Sequence, residues 1–457
     1  MSIPIELSEA LSKFPSFMLL VKGEAGTGKT TLVLEILSKL KSEGRRVCYI
    51  SSRVSYSTLL AQFPWVKSVL DEDTIIDASR VISQPKTPFS FRFMEEPAFL
   101  QAAYEFASSH KETAIVVDSL EAIKSTMETT LNFERALREI AEETGCHLII
   151  VSEGVSTQPL DYIADGIVTL VSRIEHDRLI RELYINKTRG VRIRQPAYTF
   201  TLHNSKFMCF KPLEISLPSS AEKHRPQPDS YSMFSTGCKD LDALLGGGYP
   251  RAGAVLIEAS ENVPDPAMAM TAGVTMENFI AQGRPVVSTL IAGYTAQSLK
   301  SMFKLLVGSQ PAERYLRVFK VRKLWEPGGD HVFTGDLERD TEAFGSSIVK
   351  AYQKSSQPPL AVIDLQVLAV LYHAAGLSHL VRTMTTVCKE LESLIIFVTK
   401  PGVPVNQVLR NICDIHISLR FIDRSLFLYG SKPETGYYNV QLDTSVPHPT
   451  MKLTPVE

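Results

Sequence analysis

Residues 23–30 read Gly-Glu-Ala-Gly-Thr-Gly-Lys-Thr, and only Lys22 separates them from the apolar run Phe17-Met18-Leu19-Leu20-Val21. This spacing predicts a buried strand, a glycine-rich turn and a helix in immediate succession. Without Cβ atoms in the way, the turn's backbone can wrap an anion with its N–H groups pointing inward. Beyond the turn, Val33, Ile36, Leu37 and Leu40 recur at i, i+3, i+4 and i+7, and Gly44 is a plausible stop. The helix N-terminus adds a positive dipole end to the same spot. The segment reads as a phosphate-binding loop made by Gly23, Glu24, Ala25, Gly26, Thr27, Gly28, Lys29, Thr30 and Thr31. Lys29 is placed to reach the β- and γ-phosphates of a nucleoside triphosphate, and the Thr30 hydroxyl to ligate Mg²⁺.

The rest of the chain must accommodate that unit. At 457 residues it has room for two domains of about 200 residues each. A net charge of −2 creates no global field for nucleic acid or membrane. Its longest apolar runs, such as Ile115–Val117 and Ile395–Val398, suit buried strands and are far too short to span a bilayer. The opening residues lack the pattern of a signal peptide, so the expected location is cytoplasmic, with no membrane contact. Six cysteines are scattered without a CxxC pair or a His spacing suited to zinc, so neither a disulfide framework nor a metal cluster is expected.

Strand and helix patterns alternate through the first half: strands at Val47–Ile50, Thr74–Ile76, Thr113–Asp118 and His147–Val151, helices around Tyr56–Gln62, Pro97–His110 and Leu131–Glu143. Residues 79–96, with Pro85, Pro88 and three alternating phenylalanines, read as a long loop, either a lid or a contact surface. The Pro- and Ser-rich stretch 214–233 reads as a linker between a domain over 1–213 and another over 234–457. The second half repeats the grammar. Ala361-Val-Ile-Asp364 echoes Ile115-Val-Val-Asp118, and Leu394-Ile-Ile-Phe-Val-Thr399 echoes Leu148-Ile-Ile-Val-Ser152. The expected fold class is therefore α/β, with mainly parallel sheets in two tandem units.

Asp118, at the end of a buried strand, can hold Mg²⁺ beside Thr30, while Ser152 and Glu153 end the next strand and could face a γ-phosphate or attacking water. Seven basic residues lie between Arg173 and Arg194, mixed with three acids. They read as an alternating hairpin with a solvated face, as a reach toward a neighbouring subunit, or as a nucleic-acid footprint. No aromatic interleaving supports the last.

The ordered set of phosphate loop, Val-Val-Asp118, Leu-Ile-Ile-Val-Ser152-Glu153, Tyr162-Ile-Ala-Asp165-Gly-Ile and Asn186-Lys187-Thr188-Arg189-Gly190 is similar to KaiC-like ATPases of the RecA superfamily over roughly residues 17–200. Ser235-Thr-Gly-Cys-Lys-Asp-Leu-Asp242 and the residues following it resemble the start of a second such domain. Taken whole, with Tyr49-Ile-Ser-Ser-Arg-Val-Ser55 and Gln62-Phe-Pro-Trp65, the chain most resembles the archaeal GvpD-type gas-vesicle regulators. The resemblance implies two RecA-like domains, ATP and Mg²⁺ as ligands, a homo-oligomer, and Lys187 and Arg189 acting across a subunit interface. The expected function is regulatory, through a protein partner, with the C-terminal domain in a scaffolding or partner-binding role. A RecA-type DNA-repair ATPase and a non-hydrolysing ATP-binding scaffold are the alternatives.

Two departures qualify that expectation. The place of the catalytic glutamates holds Ser51-Ser52-Arg53-Val54-Ser55, and an arginine is no base near neutral pH. Either Glu24, Glu121 or Glu153 substitutes, or hydrolysis is slow. In the second half, Asp265 and Pro266 occupy the positions of the phosphate lysine and hydroxyl. A carboxylate repels a triphosphate and proline removes a donor, so the second domain is expected to be degenerate and not to bind ATP.

Overall fold

The computed structural model describes residues 2–51, 54–71, 74–77, 96–126, 132–157, 159–215, 222–321, 331–443 and 448–457. The chain divides into two units, Met1–Lys211 with Val456–Glu457, and Pro212–Pro455.

The first unit begins with α1 (Ile5–Lys13), β1 (Phe17–Gly23), α2 (Lys29–Ser42), β2 (Arg46–Ser51), α3 (Tyr56–Gln62) and β3 (Ile75–Asp77). It continues through α4 (Glu96–Ser108), β4 (Thr113–Asp118), α5 (Leu120–Thr126), α6 (Phe133–Thr144), β5 (His147–Glu153) and α7 (Leu160–Ile163). A run of strands closes it: β6 (Gly166–Glu175), β7 (Arg178–Thr188), β8 (Ala197–Thr201) and β9 (Met208–Cys209). Sheet order is β3-β2-β4-β5-β1-β6-β7-β8-β9. Strands β1 to β6 run parallel and β7 to β9 antiparallel.

All seven residues of β1 are buried, as a central strand covered on both faces requires. Its side chains alternate between two cores. Leu19 and Val21 join Leu32, Val33 and Leu37 of α2, whereas Met18 and Leu20 join Phe99 and Phe106 of α4 and Leu137 of α6. Because β5 lies between β1 and β4, its end sits between the phosphate loop and Asp118.

The second unit opens with β10 (Met233–Phe234), α8 (Lys239–Leu244) and β11 (Tyr249–Pro250), followed by β12 (Ala254–Ala259), α9 (Asp265–Ala281), β13 (Val286–Thr289), α10 (Ala296–Val307) and α11 (Ser309–Tyr315). Next come β14 (Leu316–Val321), β15 (Val332–Phe333), α12 (Leu337–Ser355), β16 (Leu360–Asp364), α13 (Leu365–Leu368), α14 (Ala374–Glu390), β17 (Leu394–Thr399) and α15 (Asn406–Ile412). An antiparallel meander ends it: β18 (Ile415–Ile422), β19 (Ser425–Lys432), β20 (Tyr438–Asp443) and β21 (Thr450–Pro455). Its order, β15-β14-β13-β16-β17-β12-β18-β19-β20-β21, repeats that of the first unit with β15 added at the edge, β12 standing for β1, β17 for β5 and β16 for β4. These are two tandem RecA-like α/β domains with mainly parallel sheets.

Two differences from the sequence reading stand out. Helix α1, absent from that reading, buries Leu7, Ala10 and Leu11 in the core of α2. The described end of the expected linker is not a tether: Gln227 donates its backbone N–H to Asn278 Oδ1 of α9, and Ser230 to the Met233 carbonyl. The long loop falls, apart from Glu96 at the start of α4, outside the described residues. No described helix is long and apolar enough to cross a membrane.

Candidate functional site

β1 delivers Gly23 to a tight place, where a Cβ would lie 2.6 Å from the Leu170 carbonyl of β6. Gly28, at φ +98°, is the residue from which α2 starts, and its missing Cβ would lie 2.9 Å from Leu202. Between them Thr27 Oγ1 donates to the Glu24 carbonyl at 2.9 Å and closes the turn. Glu24, Ala25 and Gly26 form the exposed tip, while Thr31 is buried one turn into the helix. Lys29 is buried, and its ammonium donates to the carbonyls of Gly23 (2.6 Å) and Glu24 (2.7 Å), so the charge is held at the loop. A glycine cradle, a helix N-terminus and an ammonium in one place fit a polyphosphate.

Thr30 Oγ1 donates to Asp118 Oδ2 at 2.8 Å, bringing together the expected Mg²⁺ pair from α2 and the end of β4. A hydroxyl and a carboxylate at this separation form an oxygen donor set suited to Mg²⁺. Tyr49 of β2, fully buried, also donates to Asp118 Oδ2, at 2.7 Å. Burial, and then the neighbouring carboxylate, push its hydroxyl well above the ordinary tyrosine range, so it remains a donor. Sequence reasoning missed Tyr49, because an aromatic inside an apolar strand looks like core.

Ser152, buried at the end of β5, donates to Glu121 Oε1 at 2.5 Å, while the other oxygen of Glu121 is buried with no hydrogen-bond partner among the described residues. Glu153 pairs in register with Gly23, directly beside the loop. Two of the three acids named as substitute bases, Glu121 and Glu153, therefore flank the loop from α5 and β5, and Glu24 sits on its exposed tip. Ser52 and Arg53 lie outside the described residues.

Lys187 and Arg189 are not at this loop. Lys187 donates to the Asp161 carbonyl at 2.8 Å, and Arg189 to Asp165 Oδ1 at 3.2 Å and the Tyr162 carbonyl at 3.0 Å. In register Lys187 pairs with Ile167 and Ile167 with Leu20, upstream of Gly23 on β1. The basic residue that does approach is Arg181 of β7, whose Nη1 donates to the Gly26 carbonyl at 3.1 Å and to Ser172 Oγ at 2.9 Å. No motif marks it; only the hairpin register brings it there. The other members of the basic run are largely matched within the chain: Arg173 to Glu182 and Glu175, Arg194 to Glu9. That pairing favours the solvated hairpin over a nucleic-acid stripe.

In the second unit the corresponding place is differently filled. Asp265 opens α9, with Pro266 in its first turn, and forms a 2.8 Å ion pair with Lys400 just past β17. Lysine and acid have exchanged positions relative to Lys29 and Glu153. Asp364, the counterpart of Asp118, is buried and accepts backbone N–H groups from Ala292 (2.8 Å) and Gln366 (2.9 Å). Its lone pairs serve the fold.

Residues 11–186 match the family described as GvpD gas vesicle protein, P-loop domain. Protein GvpD2 of Halobacterium salinarum is 26% identical over 99% of this chain and 96% of its own length. Protein GvpD1 of the same organism is 28% identical over 69% of this chain and 61% of its own length. The circadian clock oscillator protein KaiC of Thermosynechococcus vestitus is 24% identical over 50% of this chain and 45% of its own. The chain is thus similar to GvpD-type and KaiC-like P-loop proteins.

Proposed function

We propose that this chain is an ATP-binding regulatory protein that hydrolyses ATP slowly and acts through protein partners. The observation that carries the reading is the convergence of Lys29, Thr30 and Asp118 at the ends of two buried strands, with Glu121 and Glu153 alongside. Lys29 and the loop N–H groups would hold the triphosphate of ATP, and Thr30 and Asp118 would hold Mg²⁺. Bound Mg²⁺ neutralises phosphate charge and orients the γ-phosphate. Tyr49 holds the Asp118 carboxylate toward Thr30, and Ser152 holds Glu121.

Regulation fits the asymmetry of the halves. The first keeps a lysine, a hydroxyl and a strand-end aspartate at its loop, whereas in the second Asp265 is paired with Lys400 and Asp364 with backbone N–H groups, which would leave that surface to a partner. Ordering of loops or subunit contacts by the γ-phosphate would be the switch, with hydrolysis as reset. Lys187 and Arg189, remote from their own loop, would meet the loop of a neighbouring copy in a homo-oligomer. A place in gas-vesicle control follows from the GvpD relatives, and the expected compartment is the cytoplasm. The second reading, a non-hydrolysing ATP-binding scaffold, is favoured by the engagement of Glu121 with Ser152; phosphate release at saturating ATP separates the two.

The test is titration of the full-length chain with a fluorescent ATP analogue in Mg²⁺. One site per chain is expected, abolished by Lys29→Ala. Stoichiometric binding that survives Lys29→Ala would overturn the assignment and point to the second unit.

A further inference from the structure

Three residues distant in sequence meet inside the second unit. Glu277 projects from α9, His224 comes from the segment leading to β10, and His448 lies just before β21. His224 Nδ1 is 3.2 Å from His448 Nε2 and 3.9 Å from Glu277 Oε2, and His448 Nε2 is 3.4 Å from the same oxygen. Their side chains are 3%, 11% and 13% exposed for His224, His448 and Glu277.

The outer nitrogens determine which atoms face inward. His448 Nδ1 lies 2.9 Å from the Glu222 carbonyl, which can only accept. His224 Nε2 lies 3.2 Å from Asn278 Oδ1. That amide's orientation is set independently: Oδ1 accepts from the Gln227 backbone N–H at 2.8 Å, while Nδ2 donates to the carbonyls of Gln227 and Ser235. Both rings therefore carry their protons outward, which leaves His224 Nδ1 and His448 Nε2 as lone pairs facing each other beside a carboxylate. Three electron pairs this close require a cation among them.

A proton can bridge two of the three atoms; a metal ion satisfies all three. Bonds of about 2.0–2.1 Å in a tetrahedron place ligand atoms about 3.3 Å apart, close to the separations present. Outer hydrogen bonds that fix ring tautomers are what metal-bound histidines require. We propose that His224, Glu277 and His448 form a transition-metal site, zinc by its two-nitrogen, one-oxygen donor set, that pins the segment before β10 and the start of β21 to α9. A cavity of about 480 Å³ with both histidines in its wall leaves room for a fourth ligand such as water. The sequence could not reveal the site, because its ligands come from three separate elements and have no motif spacing.

The test uses the full-length, tag-free, metal-stripped chain in excess Mg²⁺, titrated with Co²⁺ and followed by visible ligand-field absorption, with Zn²⁺ as competitor. One Co²⁺ per chain in a tetrahedral environment is expected, displaced by Zn²⁺ and bound at least a hundredfold more weakly by His448→Ala and His224→Ala. Zinc should raise the melting temperature of the wild type and leave that of His448→Ala unmoved. His448→Gln, which keeps a hydrogen-bonding side chain of similar size, guards against a folding defect. Equal Co²⁺ binding by wild type and both His448 variants, or none by the wild type at micromolar metal, would overturn the proposal and leave a proton-sharing cluster.

Discussion

Glu258 tests how the second unit holds together around its altered loop. It sits on β12 one residue before the strand ends, and accepts from Arg410 Nε at 2.9 Å, from a second Arg410 nitrogen and from His416 Nε2 at 3.0 Å. Burial alone would raise its pKa, but these hydrogen bonds and the positive charge of its partners bring it from 4.5 down to about 2. A group whose folded pKa is depressed contributes stability above its unfolded pKa and loses it as pH falls through the folded value. Discounted for solvent screening at the partly exposed Arg410, the shift corresponds to about 1–2 kcal/mol, present at pH 7 and lost between about pH 5 and 2. Glu258→Gln removes the charge but keeps the shape, so at pH 7 it should lower the melting temperature by roughly 2–8 °C for a unit of this size. Calorimetry of the full-length protein at pH 7, 5, 4 and 3 should show the gap between variant and wild type narrowing below pH 5, as the wild-type carboxylate becomes protonated. A gap of equal size at pH 7 and pH 3 would refute the reasoning, since the loss would then come from packing and not from ionisation.

Gly28→Ala places a Cβ at φ +98° and against Leu202, and should cost about 1–3 kcal/mol in urea denaturation; unchanged stability would mean the loop relaxes freely. Turnover should lie well below the ~10 s⁻¹ typical of enzymes. Phosphate release should fall further in whichever of Glu121→Gln and Glu153→Gln removes the base, and a wild-type rate retained by both would exclude these two carboxylates. If Lys187 and Arg189 act between subunits, mixing Arg189→Ala with Lys29→Ala should restore part of the activity that each lacks alone. ATP hydrolysis by a strict monomer would rule that out.

The phosphate loop and the alternation of strands and helices were legible in the sequence because both are local. Glycine placement, the 3.6-residue period of α2 and the apolar run of β1 depend on near neighbours and hydrogen-bond geometry, not on the rest of the chain. Asp118 was legible for a related reason, as a carboxylate ending a buried strand. The altered second loop was legible too, since Asp265 and Pro266 stand at its lysine and hydroxyl positions, and Asp265 pairs with Lys400. Tertiary structure decided everything that depends on register and strand order. Only the placement of β5 between β1 and β4 sets Glu153 beside Gly23, and only the β6–β7 pairing carries Arg181 to the loop while leaving Lys187 and Arg189 away from it. Tyr49 and the cluster of His224, Glu277 and His448 belong to the same class. Their roles arise from distances between side chains on separate elements, and those distances exist only once the sheets have closed and buried polar groups have been forced to find partners.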